Sequence, residues 1–195
     1  MILSVTGPRP IRLGGYYPSV LRKLDDFARG QIWKERNGTS WASDLTAQTS
    51  SLVLDSPESL FVPVSVLVAA KAPALTVLTG MALGWDQAVA HACVFWNVPF
   101  VAVVPFTGQE SRWPLSSQRA YRSLISSASR VVVVSEGGFS ADNMMKRNRW
   151  MVDNSDRLLA LLGRWETGGT WDCVKYANKV GRECRNCWDE WETFR

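Results

Sequence analysis

Short apolar runs alternate along the chain with longer amphipathic stretches, and glycine or proline marks most junctions. Residues 2–5, 75–78, 100–104, 131–134 and 158–162 are rich in Val, Leu and Ala, as strands covered on both faces require. Helical spacing separates these runs. Residues 86–96 bring Val89, Cys93 and Trp96 onto one face, 116–127 carry Tyr121, Leu124 and Ile125, and 141–154 carry Met144, Met145, Trp150 and Met151. A further helix is predicted at 170–180 and a last strand near 183–188. Strands joined through single helices imply β-α-β crossovers and a mostly parallel sheet. The expected class is α/β: a doubly wound sheet with helices on both faces.

One stretch breaks the rhythm. About 55 residues, 17–73, separate the first two strands, far more than a crossover needs. Their middle, 37–55, is rich in Ser, Thr, Gly and Asn and reads as a loop or insertion with a helix on either side. At 195 residues the chain is expected to be a single domain, 1–195, with an inserted or extended segment at about 30–59.

Composition narrows the partners. The best apolar stretch, 60–78, is broken by Pro63, Lys71 and Pro73, so no membrane span is expected. No basic segment precedes the apolar residues after Met1, which predicts a cytoplasmic protein. A net charge of +4 suits an anionic ligand, but basic residues form no long stripe, which disfavours nucleic acid. Ten tryptophans imply either heavy core use or a stacking surface for flat ligands.

In an open parallel sheet, ligands bind where the strands' carboxyl ends feed helix N-termini. Four loops at that edge are informative. Thr6, Gly7, Pro8 and Arg9 follow the first strand, and Gly80, Met81, Gly84, Trp85, Asp86 and Gln87 follow the second. Pro105, Phe106, Gln109 and Trp113 follow the third, and Gly168, Gly169 and Thr170 the fifth. Glycine lets backbone amides approach an anion, and a helix N-terminus adds partial positive charge. Each glycine pair is equally compatible with a plain turn or cap. Neither the dinucleotide fingerprint nor the P-loop is present, and no cofactor is expected.

Cys184 and Cys187 spell C-x-x-C, but in a strand residues three apart face opposite ways, so no metal site is expected. His91 falls mid-helix among small residues and reads as a packed or partly exposed side chain. Met144, Met145 and Met151 read as helix-packing core.

These loops, together with Leu13-Gly14-Gly15-Tyr16, Val104-Pro105-Phe106-Thr107-Gly108-Gln109-Glu110 and Arg147-Asn148-Arg149-Trp150-Met151-Val152-Asp153, resemble the SLOG superfamily of Rossmann-like proteins. Within it the chain is similar to the small single-domain branch of bacteria and their phages, outside about 30–59. The superfamily includes DNA-processing recombination mediators and the "Lonely guy" phosphoribohydrolases. The resemblance implies recognition of nucleotides or nucleotide-derived ligands, with phosphate or ribose at the glycine loops. It also implies a homodimer or higher homo-oligomer, and the host cytoplasm if the protein is phage-encoded.

The hydrolase motif P-G-G-x-G-T-x-x-E is not intact here. Gly168-Gly169-Thr170 lacks the leading P-G-G, and Cys173 stands where the glutamate belongs, with Asp172 the nearest carboxylate. The expectation is therefore binding without turnover: a sensor, or a phage protein sequestering a cyclic or ADP-ribose-type immune signal. The expected roles are phosphate contacts from the backbone of 80–84 and 168–170, and charge from Arg9 and Arg147, with Asn148 brought to the ligand edge beside Arg147. Trp85, Phe106 or Trp113 would stack on a base, and Asp86 and Gln87 would hold ribose hydroxyls. The alternatives are a phosphoribohydrolase-like N-glycosidase and a single-stranded-DNA-binding module.

Overall fold

The computed structural model describes residues 1–38 and 75–195. The apolar runs become strands β1 (Ile2–Thr6), β2 (Thr76–Thr79), β3 (Phe100–Val104), β4 (Arg130–Val133) and β5 (Arg157–Ala160), followed by β6 (Glu183–Asn186). Between and after them run helices α1 (Pro18–Asn37), α2 (Trp85–Phe95), α3 (Leu115–Ser127), α4 (Ala141–Asp153), α5 (Gly169–Lys179) and α6 (Trp188–Phe194). The strands pair in the order β4-β3-β2-β1-β5-β6, and every pairing is parallel. This is the doubly wound, Rossmann-like arrangement the alternation predicts, with its reversal of strand order between β1 and β5.

Strand periodicity divides the interior into two layers. Leu159 of β5 and the following Leu161 join a core with Leu24 and Phe27 of α1, Trp85 and Val89 of α2, and Trp188 and Trp191 at the C-terminus. Leu158, Ala160 and the following Leu162 face the other way, onto Val152 of α4 and Cys173, Val174 and Ala177 of α5. The tryptophan surplus goes largely into the first layer. Trp85 and Trp191 are fully buried, and Phe27 lies 5.9 and 5.3 Å from their ring centroids.

Three expectations change. The run at 131–134 is not covered on both faces: among the described residues β4 pairs only with β3, and as an edge strand it leaves Val131 and Val133 exposed. The last strand stops at Asn186, and Trp188 opens α6 instead. Asn186 Oδ1 accepts from the amides of Leu162 and Trp188, turning the chain so that Trp188 and Trp191 lie one helical turn apart on the buried face. Finally, 30–37 extends α1. The rest of the expected insertion, and the helix expected on its far side, lie outside the described residues.

A charged network fastens α1 to the C-terminal elements. Glu35, with its side chain only 3% exposed, accepts from Arg157 at 3.0 Å and Arg185 at 2.9 Å. Arg185 also donates to Gln31 and Glu190, and Glu190 accepts from Lys34 at 2.6 Å and Gln31 at 2.9 Å. Partial burial alone would raise the Glu190 carboxyl, but these donors outweigh it and lower its pKa to about 2, from 4.5. A carboxylate depressed on folding stabilises the fold above its unfolded value and loses that contribution as pH falls through the folded one. The urea midpoint of the parent is therefore expected to exceed that of Glu190→Gln at pH 6. The gap should narrow between about pH 4.5 and 2, and a pH-independent gap would contradict this assignment.

Candidate functional site

The loops leaving β1 and β5 diverge at the carboxyl edge of the sheet, because the next strand is added on opposite sides of β1. A cavity of about 350 Å³ occupies the resulting crevice. Thr6, Gly7, Arg9 and Arg12 line one wall, Gly168, Gly169 and Thr170 the other, and Asp86, Arg147 and Asn148 line it as well.

The buried stripe of α4 explains how Arg147 arrives. Met151 and Val152 pack into the cores, and one turn earlier the same face carries Arg147 and Asn148 out over the strand ends. Arg147 is only 4% exposed. Its guanidinium fills the space beside Gly80, where a Cβ would overlap it. One terminal nitrogen donates to Asp86 Oδ2 at 3.4 Å, while the buried Nε has no hydrogen-bond partner. Burial raises the Asp86 carboxyl to about 6, from 3.8; Arg147 and the Ala82 amide restrain the rise.

The loop after β2 supports this pair. Thr79 Oγ1 donates to the Asp86 carbonyl at 2.8 Å, and the Ala82 amide donates to the Asp86 carboxylate at 3.4 Å. The side-chain amide of Gln87 donates to the Met81 carbonyl, and that of Gln109 to the carbonyl of Gly80. These bonds hold Met81 in the left-handed region at φ 58°. Gly84, at φ 101°, lies against the Pro8 carbonyl, where a side chain would collide. Of this loop only Ala82 lines the cavity, joined by Asp86 from the first turn of α2.

On the opposite wall, Asn148 Nδ2 donates to the Gly169 carbonyl at 3.1 Å and Arg12 to the Thr167 carbonyl at 3.1 Å. They pin the entry to α5, whose first amides have no intrahelical partner. Gly168 needs its freedom, with φ 92°. Gly169 does not: a Cβ there would meet only Asn148 Nδ2, at an ordinary 3.8 Å. Cys173, in the position of the hydrolase glutamate, is buried, and burial pushes its thiol up to about 12. Asp172 and Glu166 do not line the cavity.

A second cavity, about 430 Å³, adjoins the first and shares Arg9, Ala82, Phe139 and Met144 with it. Phe106, Gln109, Arg112 and Trp113 contribute to its lining. Most of the residues singled out from sequence thus fall into two neighbouring cavities. The exceptions are Gly80, Met81, Gly84 and Gln87, which brace the pair, the buried Pro105, and Trp85. Trp85 is the clearest correction: its indole is wholly buried against Gly7 and Phe27, so no base can stack on it.

Arg12, Arg112, Phe139 and Met144 were missed, and Ala82 was named only within the 80–84 backbone. For Phe139 a signal existed, since Gly137-Gly138 precedes it and Ser140 caps α4 by accepting from the Asn143 amide at 3.0 Å. Met144, expected in the core, lines both cavities instead. Cys184 and Cys187 pack into different cores, and His91 pairs with Asp25 at 3.4 Å on the outer side of α2. A larger cavity, about 790 Å³, lies between α1, the end of α2 and α6, and none of the strand-end loops lines it. No described helix is long and apolar enough to cross a membrane.

Comparison with known proteins agrees with this architecture. The model of the YspA SLOG family (YpsA) matches residues 75–183. The SPbeta prophage-derived protein YoqJ of Bacillus subtilis (strain 168) is 29% identical over 120 residues, 53% of this chain and 69% of that protein. The X-ray structure of DNA processing protein A (DprA) from Streptococcus pneumoniae superposes with a TM-score of 0.52 at 14% identity, over 93% of this chain. The chain spans about half of that structure, 48% of its length.

The Asp86–Arg147 pair gives this cavity a charge that changes with pH in a definite direction. Protonating Asp86 removes a negative charge from the cavity and releases the guanidinium. Sulfate, a dianion throughout, is expected to bind roughly three- to tenfold more tightly at pH 5 than at pH 7.5. Asp86→Asn should flatten that dependence in a calorimetric titration. An unchanged slope in the variant would show that another group governs it.

Proposed function

The chain belongs to the YspA SLOG family, and from that premise we propose that it binds a nucleotide-derived small molecule at the β1–β5 crevice without turning it over. The observation that carries this reading is the shared cavity of Arg147 and the α5 N-terminus. Arg147, whose buried Nε is unsatisfied, lines the same 350 Å³ space as Gly169 and Thr170 at the start of α5. A phosphate there meets oriented amides and charge together. Arg9 and Arg12 add positive charge at the rim, and the neighbouring aromatic cavity suits a base. YoqJ is prophage-derived, which favours a phage-type protein that senses or sequesters a nucleotide signal.

Gly169→Ala tests the reading cleanly, since the added methyl has room in the fold. The variant is expected to melt like the parent but to bind a nucleoside monophosphate on the order of a hundredfold more weakly, through loss of charge-assisted bonds. Arg147→Ala should weaken binding comparably, and Cys184→Ser, packed on the far side of α5, should not. If Gly169→Ala binds as tightly as the parent, the phosphate site lies elsewhere.

One observation favours a second reading, an N-glycosidase. Asp86 is a buried carboxylate inside the cavity with its pKa raised to about 6, a value suited to proton transfer near neutrality. Against it stands Cys173 in place of the hydrolase glutamate. No release of free base from nucleoside monophosphates is expected at micromolar protein in a chromatographic assay. Release that disappears in Asp86→Asn would establish the hydrolase instead.

A further inference from the structure

The two cavities at the carboxyl edge adjoin and share four lining residues, among them an aromatic side chain. Phe139 lines both, yet it is 66% exposed, an unusual position for a phenyl ring beside ligand-sized space. Its main chain is held. The Asn143 side chain donates to the Gly138 carbonyl at 2.9 Å and the Asn143 amide to Ser140 Oγ, so the loop after β4 enters α4 in a fixed direction. Its ring meets Phe106 in a T-shaped arrangement, at 81° and 6.5 Å between centroids, so at most one Phe139 face is taken up by that contact.

The charges are just as unequal. Arg9, Arg12, Arg112 and Arg147 line the two cavities against a single carboxylate, Asp86, already paired to Arg147. Arg9 and Arg112 form no ion pair among the described residues. Arg147 and the α5 amides account for one anion in the first cavity. Arg112 lines only the second cavity, so a mononucleotide phosphate seated on α5 leaves it without a partner.

We propose that the two cavities together take a ligand with two phosphates separated by a nucleoside, of the dinucleotide class, with its first phosphate on α5, a base against Phe139 and its second phosphate on Arg112. This rests on the phosphate site proposed above and adds the second cavity to it. Each cavity alone falls near the lower end of the roughly 300–1,000 Å³ of small-molecule pockets, and together they suit a ligand larger than one nucleotide. Arg9, common to both, stands where the two halves of such a ligand meet.

The probes are 5′-AMP and the linear dinucleotide pApA, titrated calorimetrically into the parent, Gly169→Ala, Phe139→Ala and Arg112→Ala. Arg112 and Phe139 are exposed, so these variants are expected to melt like the parent. The parent should bind pApA at least tenfold more tightly than AMP. Arg112→Ala should lose most of that advantage while leaving AMP unchanged, and Phe139→Ala should weaken pApA roughly ten- to a hundredfold, the range of base–aromatic stacking. Gly169→Ala should weaken both probes. Equal affinity for the two probes, or full retention of pApA binding in Arg112→Ala, overturns the two-cavity inference and leaves the phosphate site standing. Failure of both probes to bind the parent at millimolar concentration overturns the inference and the reading beneath it.

Discussion

The return of the chain after β4, past three strands, to lay β5 beside β1 is the constraint on which the site depends. Until then each strand is added on one side of its predecessor, and each crossover helix covers the same flank. After the return, crossovers pack on the other flank, and the loops leaving β1 and β5 point apart. Residues remote in sequence, Arg9, Asp86, Arg147 and Gly169, converge in the crevice between them because α4 is the connection that makes the return and α5 the helix that follows β5.

Within that crevice the energetics of Arg147 are unusual. Removing a guanidinium and a carboxylate from water costs several kcal/mol per ion, and an ion pair recovers that only with good geometry and full hydrogen bonding. Here the contact is 3.4 Å and Nε remains unsatisfied. The loop after β2 is nonetheless organised around the pair: Gly80 vacates space for it, Gln87 and Gln109 hold carbonyls in place, and Met81 takes a left-handed conformation. So much structure around an incompletely satisfied charge is understandable if an anion completes it. The contrast with Glu35 is instructive, since that buried carboxylate has two arginine partners at 2.9–3.0 Å and serves to join α1 to β5 and β6.

The central strands β1, β2, β3 and β5, the parallel pairing and the edge that carries the loops were legible in the chain, because a strand buried on both faces must be continuously apolar. Strands β4 and β6 lie at the sheet edges, where that rule does not hold. Glycines at 7, 80, 84, 168 and 169 could likewise be found, but their roles could not. Gly7 and Gly80 make way for the side chains of Trp85 and Arg147, Gly84 for the Pro8 carbonyl, and Gly168 for a positive φ; Gly169 alone among them is free to accept a methyl. The short helix α6 escaped notice because seven residues show too little periodicity, and Trp188 sits directly after a strand.

Local spacing therefore determined the secondary structure, the class of fold and the set of loops from which a site could be made. Tertiary structure decided which members of that set face solvent, core or one another. Trp85 follows a glycine loop like a ligand contact, yet packing against Gly7 and Phe27 buries it, whereas Phe139 and Arg112 gain their importance only from the cavities that meet beside them. The physical reason is the range of the interactions. Periodicity and turn chemistry act over a few residues, while the cavity is made by contacts spanning 61 residues between Asp86 and Arg147 and 155 between Arg12 and Thr167.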